Sequence, residues 1–62
     1  MWNQTTIMAA IDSAKDDYGS PVTTVEVSFA GDDLRLAFKD DGGSLLAAYS
    51  VDTDGELTRV GD

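Results

Sequence analysis

The chain is 62 residues long, with twelve acidic and four basic side chains, a net charge of −8, and neither cysteine nor histidine. This excludes a disulfide staple, removes the commonest zinc ligand and neutral-pH proton carrier, and makes direct binding of nucleic acid or anionic lipid unfavourable. A domain this small buries only about 60% of the surface its unfolded chain exposes, so self-association is the stabiliser left and a homodimer is expected.

The acid is nearly all aspartate, with Glu26 and Glu56 the two glutamates, against Lys15, Arg35, Lys39 and Arg59. Two causes compete with an ordinary solvated surface: adaptation to high salt, and an acidic face made for a basic partner. No run approaches the roughly 18 apolar residues of a membrane-spanning helix. The N-terminus lacks a basic region followed by an apolar core, so a cytoplasmic protein is expected, or one in the host cytoplasm if the source is viral.

In chain order, Asn3 or Thr5 is the candidate N-cap, and neither is followed three residues later by Glu or Gln, so no capping box is expected. From Thr6 to Tyr18, Ile7, Ile11, Ala14 and Tyr18 recur at spacings of four, three and four, with Met8 and Ala10 widening the stripe. This is an amphipathic helix, stopped by Gly19 and Pro21. Four β-prone runs follow between Val22 and Val60, separated by Gly31-Asp32-Asp33, Asp40-Asp41-Gly42-Gly43 and Asp52-Thr53-Asp54-Gly55. Short acidic turns with glycine between alternating runs predict consecutive hairpins. The expected fold is α+β: a single domain, residues 1–62, with one N-terminal helix on a three- to four-stranded antiparallel meander.

Alternation puts Val25, Val27 and Phe29 on one face of the first strand and Leu34, Leu36 and Phe38 on one face of the second. In the third strand Leu45, Ala47, Tyr49 and Val51 make one set and Leu46, Ala48 and Ser50 the other. The last run, Glu56 to Val60, is short. The helix is expected to cover Val27, Phe29, Leu36, Phe38 and Tyr49 with Ile7, Ile11 and Ala14. Ala37, Leu46 and Ala48, with Val60, are left on an open, mildly apolar face suited to a dimer or a partner.

Successive tips of a meander alternate between the two ends of the sheet. Asp32 and Asp33 should share an end with Asp52 and Asp54, while Asp40 and Asp41 lie about 20 Å away beside Asp16 and Asp17. These eight aspartates are the candidate partner-binding residues, with Trp2 as an apolar anchor or a staple of helix to sheet. Asp16 and Asp17 oppose the helix macrodipole at a cost of about 0.3–1 kcal/mol, which salt would screen.

Ser50-Val51-Asp52-Thr53-Asp54-Gly55 shares the opening spacing of a calcium loop, but Gly61 stands where the bidentate glutamate is required, so a hairpin turn is the better reading and no metal or cofactor is expected. Serine and threonine have no histidine to activate them, there is no cysteine nucleophile, and aspartates on exposed tips stay ionised. No enzymatic activity is expected.

The helix Thr6–Tyr18, Val25-Glu26-Val27-Ser28-Phe29 and the closing run from Tyr49 through Asp52-Thr53-Asp54-Gly55 to Val60 together resemble the small α-β-β-β modules of the PepSY type, whose last hairpin carries a similar Asp/Gly turn. The resemblance implies a binding or inhibitory module with no catalytic residues to carry over. PepSY modules usually lie outside the cytoplasm or beside membrane spans, a departure in location. In size, acidity and lack of cysteine the chain also resembles a functional class, the small viral anti-CRISPR and DNA-mimic inhibitors that present carboxylates to basic grooves. The expected function is a non-enzymatic protein-binding module acting through its acidic surface, of that inhibitory kind. The alternative is a halophilic, dimeric domain with a PepSY-like regulatory role.

Overall fold

The computed structural model describes residues 2–60, which form α1 (Gln4–Tyr18), β1 (Thr24–Ala30), β2 (Asp33–Lys39), β3 (Leu45–Val51) and β4 (Leu57–Val60). All neighbouring strands pair antiparallel in the order β1-β2-β3-β4, the meander expected from the turns.

The helix starts two residues earlier than its periodicity suggests, because Asn3 caps it: the Asn3 side chain accepts from the Thr6 N–H at 2.9 Å, and the Thr6 hydroxyl accepts from the Asn3 N–H at 3.0 Å. A capping box therefore exists where none was expected, with threonine in the place usually held by glutamate or glutamine. At the other end Gly19 adopts φ +80° and donates to the Lys15 carbonyl at 3.0 Å, a left-handed stop that a side chain would strain.

Ala10 and Ala14 are the buried residues of α1. Their small size lets the helix approach the sheet closely, while Ile7, Ile11 and Tyr18 pack partly buried around them. On the sheet the core consists of Leu34, Leu36, Phe38, Ala47, Tyr49 and Val51. Tyr18 meets Phe38 edge-on with ring centroids 5.8 Å apart, and Phe38 lies 5.4 Å from Tyr49, so aromatic contacts join helix, β2 and β3.

Three expectations about the core are corrected. Val27 and Phe29 share a face with their register partners Leu36 and Leu34, yet are 42% and 55% exposed. The helix lies over β3 and β4 and leaves the β1 end of the same face uncovered. Met8, placed at the margin of the helical stripe, is exposed. The third correction arises from a β-bulge in the β2–β3 ladder at Phe38/Lys39. It pairs Leu45 with Lys39, exposing Leu45, and leaves Leu46 packed against the core rather than on the open face. Simple alternation fails at such a two-against-one step.

Leu36 is 1% exposed beneath the helix, so Leu36→Ala should destabilise the domain by about 2–5 kcal/mol, enough to unfold much of so small a protein. Met8→Ala should stay within about 0.5 kcal/mol. Urea denaturation followed by circular dichroism measures both.

Candidate functional site

The hairpin tips place the acidic side chains. Gly31 and Asp32 form a two-residue turn between paired Ala30 and Asp33, and Gly31 takes φ +64° while no non-glycine residue among the described residues has positive φ, the sign pattern of a type II′ hairpin turn. Asp33 thus belongs to β2, half-buried, rather than to the exposed tip.

The other two tips share one design. In each, a leading aspartate uses Oδ1 to accept two backbone N–H groups: Asp40 from Gly42 and Ser44, both at 2.9 Å, and Asp52 from Asp54 at 3.0 Å and Glu56 at 2.8 Å. The same aspartates accept at their carbonyls from Gly43 and Gly55, which take φ +85° and +88°. Asp40 and Asp52 are therefore built into their turns, and Asp41 and Asp54 are the carboxylates that stand outward on them. The signal was present in the sequence as Asp-x-x-Gly occurring at Asp40 and again at Asp52. The Asp52 turn is a hairpin, as preferred over a calcium loop, and among the described residues no cluster of three or more acidic side chains is arranged to hold a metal ion.

Trp2 lies half-buried where α1 meets the first tip, and its indole Nε1–H donates to the Asp32 carbonyl at 2.8 Å. It is thus a staple, as one of its two expected roles required. It also borders two concavities. One, of about 320 Å³, lies between α1 and the third tip, with Ala10, Val51 and Leu57 among its apolar walls and Thr6, Ser13, Thr53 and Asp54 as its polar ones. The other, of about 370 Å³, is bounded by Phe29, Gly31, Asp32 and Thr53. The structure therefore brings the first and third tips together around Trp2.

At the far end of α1, the Asp17 carboxylate accepts a hydrogen bond from the Tyr49 hydroxyl at 3.0 Å. An aspartate that opposes the macrodipole is thus used to satisfy the one polar atom on an otherwise buried tyrosine. Burial raises the Tyr49 pKa above its usual value near 10, and the bond to Asp17 and the charge of Asp17 act in the same direction, with Arg59 opposing. Asp16 is exposed beside it.

On the opposite face of the sheet Ala37 pairs with Ala48, and Ala48 with Val60, giving a narrow half-buried row. It is bordered by exposed Arg35 and by Lys39, whose Nζ lies 3.0 Å from the Glu26 carboxylate. With Leu46 drawn toward the core, this face is less apolar than its sequence suggested.

No protein family, curated protein or solved structure matches this chain. Among the described residues no helix is long and apolar enough to cross a membrane.

Two outcomes check the geometry. Asp52→Ala should cost about 1 kcal/mol by freeing two turn N–H groups, while Asp52→Asn, which keeps an accepting oxygen, should cost much less; thermal melts distinguish them. Because the folded-state pKa of Tyr49 is raised, its contribution to stability is complete below pH about 10 and is lost as the pH rises from there through the folded value. Tyr49→Phe should flatten that alkaline decline in denaturant titrations.

Proposed function

We propose that the protein is a non-enzymatic module that binds a basic protein surface through the end of the molecule carrying Trp2 and the first and third hairpin tips. The observation that supports this reading most is the joining of unlike groups at one end. Asp32 and Asp54 carry carboxylates with no hydrogen bond or ion pair among the described residues, and they flank two concavities whose apolar walls include Trp2, Phe29, Val51 and Leu57. Net charge steers a cationic partner to the molecule, and an apolar recess gives the stem of a lysine or arginine somewhere to pack.

The sharpest form of this reading is inhibition of a nucleic-acid-binding complex of the anti-CRISPR or DNA-mimic kind, in which carboxylates occupy a groove built for phosphates. Asp41, with Asp16 at the other end, extends the field without the same apolar support. Asp17, Asp33, Asp40 and Asp52 contribute charge while serving the fold. The second reading, a halophilic domain with a PepSY-like regulatory role, draws on the spread of exposed acid over both ends, which suits a surface hydrated in concentrated salt.

Immobilised protein incubated with lysate at low salt should retain a basic, nucleic-acid-handling partner that is released by added salt and by double-stranded DNA. Asp32→Asn with Asp54→Asn should reduce retention about tenfold or more, and Asp41→Asn should reduce it less, on the scale of charge-pair losses at interfaces. Retention unchanged by neutralising both ends would overturn the proposal. Failure to fold below molar salt would transfer the reading to the halophilic alternative.

A further inference from the structure

β1 is the edge of the sheet, paired with β2 on one side and with no described strand on the other. Edge strands of natural proteins are commonly protected by lysine, proline, a bulge or brevity. Among its seven residues, Thr24–Ala30, β1 has none of these; its one charged side chain, Glu26, is ion-paired with Lys39, and its pairing with β2 runs without a register shift. The opposite edge, β4, is only four residues long and carries Arg59.

The hairpin turn fixes which backbone groups this edge offers. A two-residue turn is closed by a hydrogen-bonded pair, here Ala30 and Asp33, and such pairs alternate along an antiparallel ladder. Thr24, Glu26, Ser28 and Ala30 therefore direct their N–H and C=O groups to β2, and Val25, Val27 and Phe29 direct theirs outward. Their side chains lie on the helix-side face, where Val25 is half-buried against the core while Val27 and Phe29, on the uncovered part, are 42% and 55% exposed.

We infer that β1 is a self-association surface: two copies join antiparallel, edge to edge, about a two-fold axis at Val27, making one continuous eight-stranded sheet. In that register Val27 faces Val27 of the second copy, and Val25 faces its Phe29. All three facing pairs are of the hydrogen-bonded kind, so every outward N–H and C=O of Val25, Val27 and Phe29 is satisfied. Each Phe29 gains an apolar cross-strand neighbour.

Charge selects a second copy as the occupant. Glu26 is the one charged residue on the strand, it already lies 3.0 Å from Lys39, and it would face Ser28 of the other copy rather than another acid. A basic partner finds no unpaired carboxylate on this strand, and a copy of the same strand meets no like charge. This surface adjoins the acidic end proposed above at Phe29, which also walls the recess beside Asp32, but the pairing of the strand does not depend on that proposal.

The dimer should strengthen with salt, because two chains of charge −8 repel, whereas binding of a basic partner should weaken. Sedimentation equilibrium of the full chain should give twice the 6.6 kDa monomer mass, with the dimer share rising as salt is added. Val27→Lys should halve that mass at every salt while leaving the far-ultraviolet circular dichroism unchanged. Because the chain has no cysteine, Val27→Cys should crosslink to its own copy on mild oxidation, since facing residues of a hydrogen-bonded pair have Cα atoms about 5.5 Å apart. Ser28→Cys, offset from its copy in this register, should not. A monomer at all salts, a dimer indifferent to Val27→Lys, or crosslinking through Ser28→Cys in place of Val27→Cys would overturn the inference. If Val27→Lys fails to fold, the two cysteine variants decide.

Discussion

One helix must serve as the entire second layer of this protein, and a single helix is narrower than the sheet it covers. Four strands spaced about 4.8 Å apart present outer axes roughly 14 Å apart, while a helix with its side chains is about 10–12 Å across. The helix lies over β3 and β4, with Ala10 and Ala14 permitting close contact, Ile7 and Ile11 packed around them and Tyr18 reaching Phe38 on β2. Leu34, Leu36 and Phe38 become fully buried, and cover runs out at β1. The exposure of Val27 and Phe29 follows from this shortfall rather than from any feature of β1 itself.

Both ends of the helix are tied to the sheet by polar contacts, which compensate for the small apolar contact area. At the start, the Trp2 indole bonds to the Asp32 carbonyl; at the finish, Asp17 receives the Tyr49 hydroxyl. Arg59 adds a cationic contact with Cζ 5.9 Å from the Tyr18 ring centre. These ties determine which acids are left for other work. Asp17 is drawn into the fold, as Asp40 and Asp52 are by their turns, and Asp32 and Asp54 remain on either side of Trp2. The proposed partner surface is therefore made of the acids that folding does not use, placed beside apolar recesses that a single helix leaves unfilled.

The two proposed surfaces, the bare strip and the acidic end, are matched to different partners because their charge differs. At the tips, unpaired carboxylates favour a basic surface. Along β1 the only charge is neutralised by Lys39, so backbone pairing and apolar contact dominate there. Salt acts in opposite directions on the two, which makes them separable in a single preparation.

The sequence by itself determined the elements and their order. Periodicities of 3.6 and 2, the Gly19-Pro21 stop and three aspartate–glycine turns are local signals, and local backbone preferences are sufficient to form hairpins between neighbouring strands. It also determined the buried set on β2 and most of β3, because Leu34, Leu36, Phe38, Tyr49 and Val51 alternate cleanly. Only the tertiary structure decided which part of the apolar face is covered, since Val27 and Phe29 alternate as regularly as Leu36 and Leu34 and differ only in their distance from the helix. It alone decided that Leu45 is exposed and Leu46 drawn inward, because a bulge depends on the partner strand. The role of Asp17, and which of its two expected roles Trp2 takes, were likewise decided only by the fold: their partners lie 32 and 30 residues away, and no local pattern records a contact at that range.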